Sequence, residues 1–210
     1  MHVVDLLRLA VTGLLLWLLR PHLALIWRFL QPGRIRHRIE PARTLPQGFW
    51  SATMSGLGFA HLGWREERIF GLERRGYHVF FHEDGVFADL PEAACESKSK
   101  RPPVGLYLTT VLPEALFLMT KRVGQETTRG LYVSQKVSGT VADMLRAHRA
   151  TLMRLGLGQK VEAPGTLERR SEIFTRWHRE HARAELRNFA VLSVVLTMIL
   201  AVFLVRMWMI

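Results

Sequence analysis

The residues best suited to chemistry in this chain are histidines, and one group has the donor types of a metal site. His178, His181 and Glu185 lie at i, i+3 and i+7, so one helical face would carry two imidazoles and a carboxylate. The group lacks the HExxH order, and no further ligand can be identified. We therefore expect these side chains to have a structural role, and we predict neither a metal ion nor a cofactor.

Three other histidines are weak candidates for a site. His78 and His82 are four residues apart in a predicted strand, which places both on the same face. A metal or acid–base site would need a nearby carboxylate, but Glu83 would point away from His82. His148 lies on the apolar face of a predicted helix, where a core histidine bonded to the backbone is favoured over a general base.

The C-terminal segment predicts a transmembrane helix. Residues 189–205 are seventeen positions without a charge, and at the standard helical rise they extend about 25 Å. Arg206 follows and can snorkel towards the headgroups, while Trp208 is suited to the membrane interface. We therefore expect residues 189–210 to be a membrane anchor.

The N-terminal segment, residues 1–30, is apolar but less uniform. Asp5, Arg8 and Thr12 share one helical face and could face a partner helix or a polar cavity. The favoured alternative places Asp5 and Arg8 at the outer headgroups, with the span beginning near Leu9. A third interpretation is that Pro21 ends a short span or produces a re-entrant or interfacial helix.

Charge predicts the orientation and the partners. The chain has 29 Lys and Arg against 18 Asp and Glu, and arginines are dense just inside both apolar ends. Positive-inside bias therefore predicts a cytoplasmic central region with both termini outside, in a bacterial inner (plasma) membrane. The residues expected to face anionic lipid or a partner are the stripe Asp5, Arg8 and Thr12 together with Arg34, Arg36, Arg38, Arg176, Arg179, Arg183 and Arg187. Nucleic acid is the less favoured partner.

The region between the anchors predicts an α+β domain. Residues 31–46 are interpreted as a basic linker, residues 47–166 as the domain, and residues 167–188 as a basic juxtamembrane helix. Hairpin patterns join Tyr77–His82 to Val86–Leu90 through an Asp-Gly turn, and Val104–Val111 to Ala115–Arg122, with a further strand in Gly130–Val137. Thr140–Leu155 has the period of an amphipathic helix, with Thr140 as N-cap and Asp143 at its third position.

These elements predict a small, mostly antiparallel sheet covered on one face by the amphipathic helix and flanked by N- and C-terminal transmembrane helices. The function expected from this organisation is that of an accessory or assembly subunit of a larger membrane protein complex, with membrane lipids and a membrane protein or a second copy as partners. The alternative is a membrane-bound enzyme acting on a lipid or lipid-linked substrate, with His78, His82 or His148 in its site.

Overall fold

The computed structural model describes residues 3–31, 34–69, 73–97, 99, 101–112, 116–124, 126–129, 132–155 and 165–209; for Ile69, Arg129 and Glu185 it describes the backbone alone. These residues form two compact units. The terminal unit comprises Met1–Arg36, Arg68–Arg74 and His178–Ile210, and the central unit comprises His37–Glu67 and Arg75–Trp177.

Helices and strands follow one another along the chain within these ranges. The helices are α1 (Val3–Leu30), α2 (Phe49–Gly56), α3 (Glu92–Cys95), α4 (Val141–Arg154), α5 (Leu167–Glu180) and α6 (Ala182–Met209). The strands are β1 (Arg36–Glu40), β2 (Phe59–Ile69), β3 (Glu73–His82), β4 (Val86–Pro91), β5 (Tyr107–Val111), β6 (Phe117–Lys121), β7 (Thr127–Arg129) and β8 (Tyr132–Lys136).

The strands form one eight-stranded open sheet in the order β1-β2-β3-β4-β5-β6-β8-β7. Neighbouring strands from β3 to β6 pair antiparallel, β8 pairs parallel with β6, and β7 pairs antiparallel with β8. The mostly antiparallel α+β fold is therefore confirmed, but the predicted small sheet is wrong in its extent. The sequence patterns missed β1, which lies in the predicted linker, and also β2 and β7.

The hairpin of β3 and β4 is confirmed in register, since His82 is paired with Val86. Gly85 adopts φ 77° in the turn, a conformation that favours glycine because any other side chain would crowd its own backbone. The second predicted hairpin is also confirmed, by the pairing of Val111 in β5 with Phe117 in β6.

Alternate residues of the sheet face two different layers of helix. Phe80, Ala88 and Leu108 point to one face and pack in a buried core with side chains of α2 and α4. Asp89, between Ala88 and Leu90, points to the opposite face, where it contacts α5 through Arg170. The expectation of one covering helix is therefore wrong, because both faces of the sheet are covered.

Helix α4 begins as the sequence predicts. The Thr140 hydroxyl accepts a hydrogen bond from the Asp143 amide at 3.2 Å, and Asp143 Oδ2 accepts one from the Thr140 amide at 2.9 Å. This capping box satisfies backbone donors that a helix N-terminus otherwise leaves unpaired. The sequence also predicts that Gly156 and Gly158 end this helix, but both lie outside the described residues.

The terminal unit contains a pair of long antiparallel helices, α1 and α6, both long and apolar enough to cross a membrane. Their less exposed residues recur with alternating spacings of three and four, the pattern of a coiled-coil seam. On α1 one row with these spacings is Asp5, Arg8, Thr12, Leu15, Leu19, His22 and Ile26, although Ala24 and Arg28 are buried outside it. On α6 such a row is Leu186, Ala190, Ser193, Thr197, Leu200, Leu204 and Met207.

Polar contacts fix the register of this helix pair. Trp208 Nε1 donates to the Thr12 hydroxyl at 3.1 Å, and His22 Nδ1 lies 3.2 Å from the Ser193 hydroxyl. Arg183 donates to the carbonyl groups of Phe29 and Leu30 at 3.2 and 3.1 Å, so it caps the C-terminus of α1. Helix α1 continues through Pro21, so the interpretation in which Pro21 ends a short span is wrong, whereas the re-entrant or interfacial helix stays a prediction.

Candidate functional site

The most unusual group of side chains in the central unit is the buried ion cluster, which comprises Arg65, Glu67, Asp89 and Arg170. Each of the four side chains is fully buried. Arg65 donates to Glu67 Oε1 at 2.9 Å and lies 3.5 Å from Asp89 Oδ2. Arg170 holds the same Asp89 by two bonds, one from Nε to Oδ1 at 3.1 Å and one from Nη2 to Oδ2. The cluster therefore pairs two cations with two anions.

Three elements bring the buried ion cluster together. Strand β4 supplies Asp89, helix α5 supplies Arg170, and β2 supplies Arg65 and Glu67, which are two residues apart and so share a face. His61, earlier in β2, contacts Phe80 on the α4 side of the sheet. Residues four apart in a regular strand point to the same face, but Arg65 contacts Asp89 on the opposite face of the sheet. The alternation is therefore interrupted between His61 and Arg65, as in a β-bulge.

Gly63 lies at that interruption and explains how the chain makes it. Its φ is 140°, a region that side chains rarely adopt, and a Cβ there would lie 2.8 Å from Pro41 Cα and 2.9 Å from the Glu40 carbonyl oxygen. The backbone after β1 therefore approaches β2 too closely for any side chain. This glycine is what allows β2 to place Arg65 against Asp89.

Aromatic rings enclose the guanidinium groups. Arg65 Cζ lies 4.2 Å from the ring centroid of Phe174 and 5.0 Å from that of Tyr77, and Arg170 Cζ lies 4.9 Å from the Phe174 centroid. Cation–π attraction is strong where water is excluded, so these rings partly replace the lost hydration. Phe174 follows Arg170 by one helical turn, so one face of α5 supplies both a cation and a ring.

Not every donor of the buried ion cluster is satisfied. Arg65 Nε and Arg170 Nη1 are buried, and neither has a hydrogen-bond partner in the described part of the chain. An unpaired buried donor costs about 1–3 kcal/mol. The buried ion cluster therefore carries a free-energy penalty, and its contribution is to fix one arrangement of the core. It ties α5, the helix that precedes α6, to the centre of the sheet.

His37 borders the buried ion cluster and is neutral. Its Nδ1 lies 3.3 Å from Arg65 Nη1. Burial, followed by the positive charge of Arg65, lowers the pKa of His37 from 6.5 to about 4. The imidazole can therefore accept a hydrogen bond from the guanidinium at neutral pH.

His78 and His82 lie on the same face of β3, as the sequence predicts, but they have different partners. His78 Nδ1 is 3.2 Å from His61 Nε2, and burial, then His61 and Arg43, lowers the pKa of His78 to about 4. His82 accepts from the Asp84 amide at 3.1 Å and lies 3.1 Å from Arg149 Nη2. His82 therefore joins the hairpin tip to α4.

His148 is a core residue, although its partners differ from those expected. The side chain is fully buried, and its ring nitrogens lie 2.9 Å from the Thr110 hydroxyl and 2.7 Å from the Thr120 hydroxyl. The expected backbone bond is therefore replaced by two side-chain bonds to β5 and β6. Burial lowers the pKa of His148 from 6.5 to about 3, so the ring is neutral.

The predicted group of His178, His181 and Glu185 does not lie on one continuous helix. His178 is in α5 and buried, whereas His181 stands at the turn that separates α5 from α6. The Glu185 side chain lies outside the described residues. Among the residues that the structure describes, no group of three or more His, Cys, Asp or Glu is arranged to hold a metal ion.

The residues predicted to face lipid or a partner lie in two settings. Asp5, Arg8 and Thr12 are half-buried on the α1 face that meets α6, and the Thr12 hydroxyl also donates to the Arg8 carbonyl at 2.8 Å. The arginines are exposed, and they are Arg34, Arg36, Arg38, Arg176, Arg179, Arg183 and Arg187.

Sequence reasoning missed the buried ion cluster. One signal was present, because Asp89 interrupts the otherwise apolar stretch Val86–Leu90, and a lone carboxylate in a buried strand requires a partner. No local pattern identifies that partner, since Arg170 lies 81 residues away.

Comparison with known proteins adds no candidate: no family model, no curated protein and no solved structure matches the chain.

Proposed function

We propose that this chain is a membrane-anchored accessory or assembly subunit of a larger membrane protein complex. The supporting observation is the distribution of charge around the α1/α6 pair. The contact of Arg183 with the C-terminus of α1 brings the end of α1 and the start of α6 together. Arg34, Arg183 and Arg187, all exposed, therefore belong to the same end of the helix pair. The opposite end carries Arg8 and Arg206.

This asymmetry supports a cytoplasmic location for the central domain in a bacterial inner membrane, because the end of a span richer in arginine is retained inside. Exposed arginines near the headgroups also attract the anionic lipid of the cytoplasmic leaflet. The same side chains would contact an acidic surface of a membrane protein partner.

The outer faces of the helix pair supply the surface for such a partner. The polar seam groups have contacts within the pair, as in the Trp208–Thr12 bond, whereas large apolar side chains remain exposed. Examples are Trp17, 64% exposed, and Leu192, 66% exposed. In a bilayer these faces meet lipid or another transmembrane helix, and small differences in packing decide between them.

The enzyme alternative has no specific observation in its favour. It requires His78, His82 and His148 to converge in one pocket, but each has its own partners: His61 for the first, Arg149 and the Asp84 amide for the second, and two threonines for the third. A membrane-bound enzyme acting on a lipid or lipid-linked substrate would therefore need other residues.

The accessory role is tested by purifying the full-length tagged protein from membranes in a mild detergent and identifying co-purified proteins by mass spectrometry. A membrane protein recovered in stoichiometric amount supports the proposal. Replacement of Arg34, Arg36 and Arg38 by glutamine should reduce that recovery, whereas replacement of the exposed Arg74, Arg146 and Arg154 should not. A chain that travels without another protein, as a monomer or a homo-oligomer, overturns the accessory role.

A further inference from the structure

An open groove in the central unit lies beside the loop that connects α3 to β5. Its volume is about 290 Å³. The groove is lined by Trp50, Pro91, Ala93, Ala94, Ser97, Ser99, Arg101, Pro102, Pro103, Val104 and Arg122. None of these described lining residues is acidic, and two of them are arginines, so the described lining carries a net positive charge. We propose that it binds the phosphate group of an anionic ligand.

The backbone of the loop orients the polar lining. The Ser97 hydroxyl oxygen accepts a hydrogen bond from the Ser99 amide at 3.2 Å, and the Ser99 hydroxyl oxygen accepts one from the Arg101 amide at 3.3 Å. Each hydroxyl therefore has one lone pair engaged locally and its proton available to a ligand oxygen. These two hydrogen bonds place Ser97, Ser99 and Arg101 along one stretch of the groove.

Arg122, which follows β6, also contacts the loop. Its Nη1 donates to the Pro102 carbonyl oxygen, which holds the guanidinium beside the prolines and leaves the other guanidinium nitrogens for a ligand. Arg101 is exposed, so its guanidinium can move to meet an anion. Arginine presents paired N–H groups that match two oxygens of a phosphate.

The nearby carboxylates of Glu92 and Glu96 are not part of the described lining. Glu92, in α3, pairs with Arg43 and accepts from Trp64 Nε1 at 3.2 Å. The arginines of the groove are therefore not neutralised by that carboxylate. Trp50, which forms the apolar wall, also has a buried indole N–H with no acceptor among the described residues.

The arginine and serine contacts would be the same for a free phosphate ester and for the phosphate of a lipid headgroup. The apolar rim of the groove distinguishes these two ligands. Val104 is 65% exposed beside the prolines, a position suited to the first carbons of an acyl chain. A lipid headgroup would use this rim, and a small phosphate ester would not.

The test uses full-length protein in nanodiscs of zwitterionic phosphatidylcholine, titrated by calorimetry with glycerol 3-phosphate and, separately, with dihexanoyl phosphatidic acid. Arg101→Gln should weaken binding about tenfold, the loss expected for one charge-assisted contact. Its matched control is Arg146→Gln, another exposed arginine, in α4. Val104→Asp supplies a second variant, since the added carboxylate should repel a phosphate without disturbing the core.

Two results support the proposal and distinguish the sources. Binding of both probes, with the loss at Arg101→Gln, indicates a site for a free phosphate ester; binding of phosphatidic acid alone, with the same loss, indicates a lipid headgroup. The proposal is overturned if neither probe binds the unmodified protein, or if Arg146→Gln weakens binding as much as Arg101→Gln. The outcome is independent of the accessory role, because purification of a partner does not involve these probes.

Discussion

Arg170 in α5 and Asp89 in β4 form a fully buried, two-bond ion pair across 81 residues of sequence. The pair holds the helix that leads into α6 against the centre of the sheet, and Arg65 shares the same carboxylate at 3.5 Å. Because both partners are removed from water, the pair depends on complete matching of charge. Its removal should therefore have larger effects than the removal of any surface ion pair.

Replacement of Asp89 by asparagine should lower the free energy of unfolding by about 3–5 kcal/mol, because two guanidinium groups would remain buried without their shared anion. The matched control is Asp84→Asn, since Asp84 is 40% exposed in its pair with Arg149 and should contribute less than about 1 kcal/mol. Melting temperatures of the full-length proteins in detergent measure both. Equal shifts for the two variants would show that the buried ion cluster is not a major source of stability.

Acidification should destabilise the central domain through His148. Its pKa in the folded protein is about 3, below the usual value of 6.5, so the unfolded chain binds a proton that the folded chain does not. The stabilisation is therefore complete above pH 6.5 and decreases as pH falls towards 3, by up to about 1.4 kcal/mol per pH unit. As pH is lowered, the melting temperature of His148→Gln should fall less steeply than that of the unmodified protein. Parallel curves would contradict this role.

Replacement of Gly63 by alanine should destabilise the protein by about 1–3 kcal/mol, because the new Cβ would meet the backbone near Pro41 at a positive φ. Gly56→Ala is the control: no atom lies within 4 Å of its Cβ position, and alanine at a helical site should be neutral or stabilising by up to about 1 kcal/mol. Chemical denaturation monitored by tryptophan fluorescence compares them. A neutral Gly63→Ala would argue against the close approach of the Glu40–Pro41 backbone to β2.

The antiparallel pairing of α1 with α6 predicts a specific cross-link. In a Cys95→Ser background, His22→Cys combined with Ser193→Cys should form an intrachain disulfide under mild oxidation, since His22 Nδ1 and the Ser193 hydroxyl oxygen lie 3.2 Å apart and both residues lie on the facing sides of the pair. Leu16→Cys with Ser193→Cys should not, because Leu16 is 54% exposed on the outer face. Thiol alkylation followed by mass measurement detects the bond. Oxidation of both pairs to the same extent would argue against the fixed seam.

The proposed topology predicts which cysteines an impermeant maleimide reaches on intact cells. In the same Cys95→Ser background, Met209→Cys should be labelled, and Arg38→Cys should be labelled only after the membrane is opened. Both positions are exposed in the protein, so accessibility reports the side of the membrane. The reverse pattern would place the central domain outside the cytoplasm and remove the basis for lipid binding by its arginines.

Local signals account for the elements that the sequence predicted. The Asp-Gly turn and the flanking alternation identified β3 and β4, and the apolar face with Thr140 identified α4, because a turn or a cap depends on a few adjacent residues. Strand β2 was missed since its regular alternation is interrupted near Gly63 and its inward side chains include Arg65 and Glu67. A pattern that equates burial with apolar residues cannot recognise such a strand.

The sequence by itself determined that both ends are long apolar helices. It also determined that arginine is concentrated in the segments between these helices, next to their facing ends, and that the region between them is α+β. These properties follow from composition and short-range periodicity. Only the tertiary structure decided that Asp89 meets Arg170, that α5 covers the second face of the sheet, and that His78, His82 and His148 have separate partners. Each of those contacts joins residues far apart in sequence, and their pairing depends on strand order and register, which no local pattern contains.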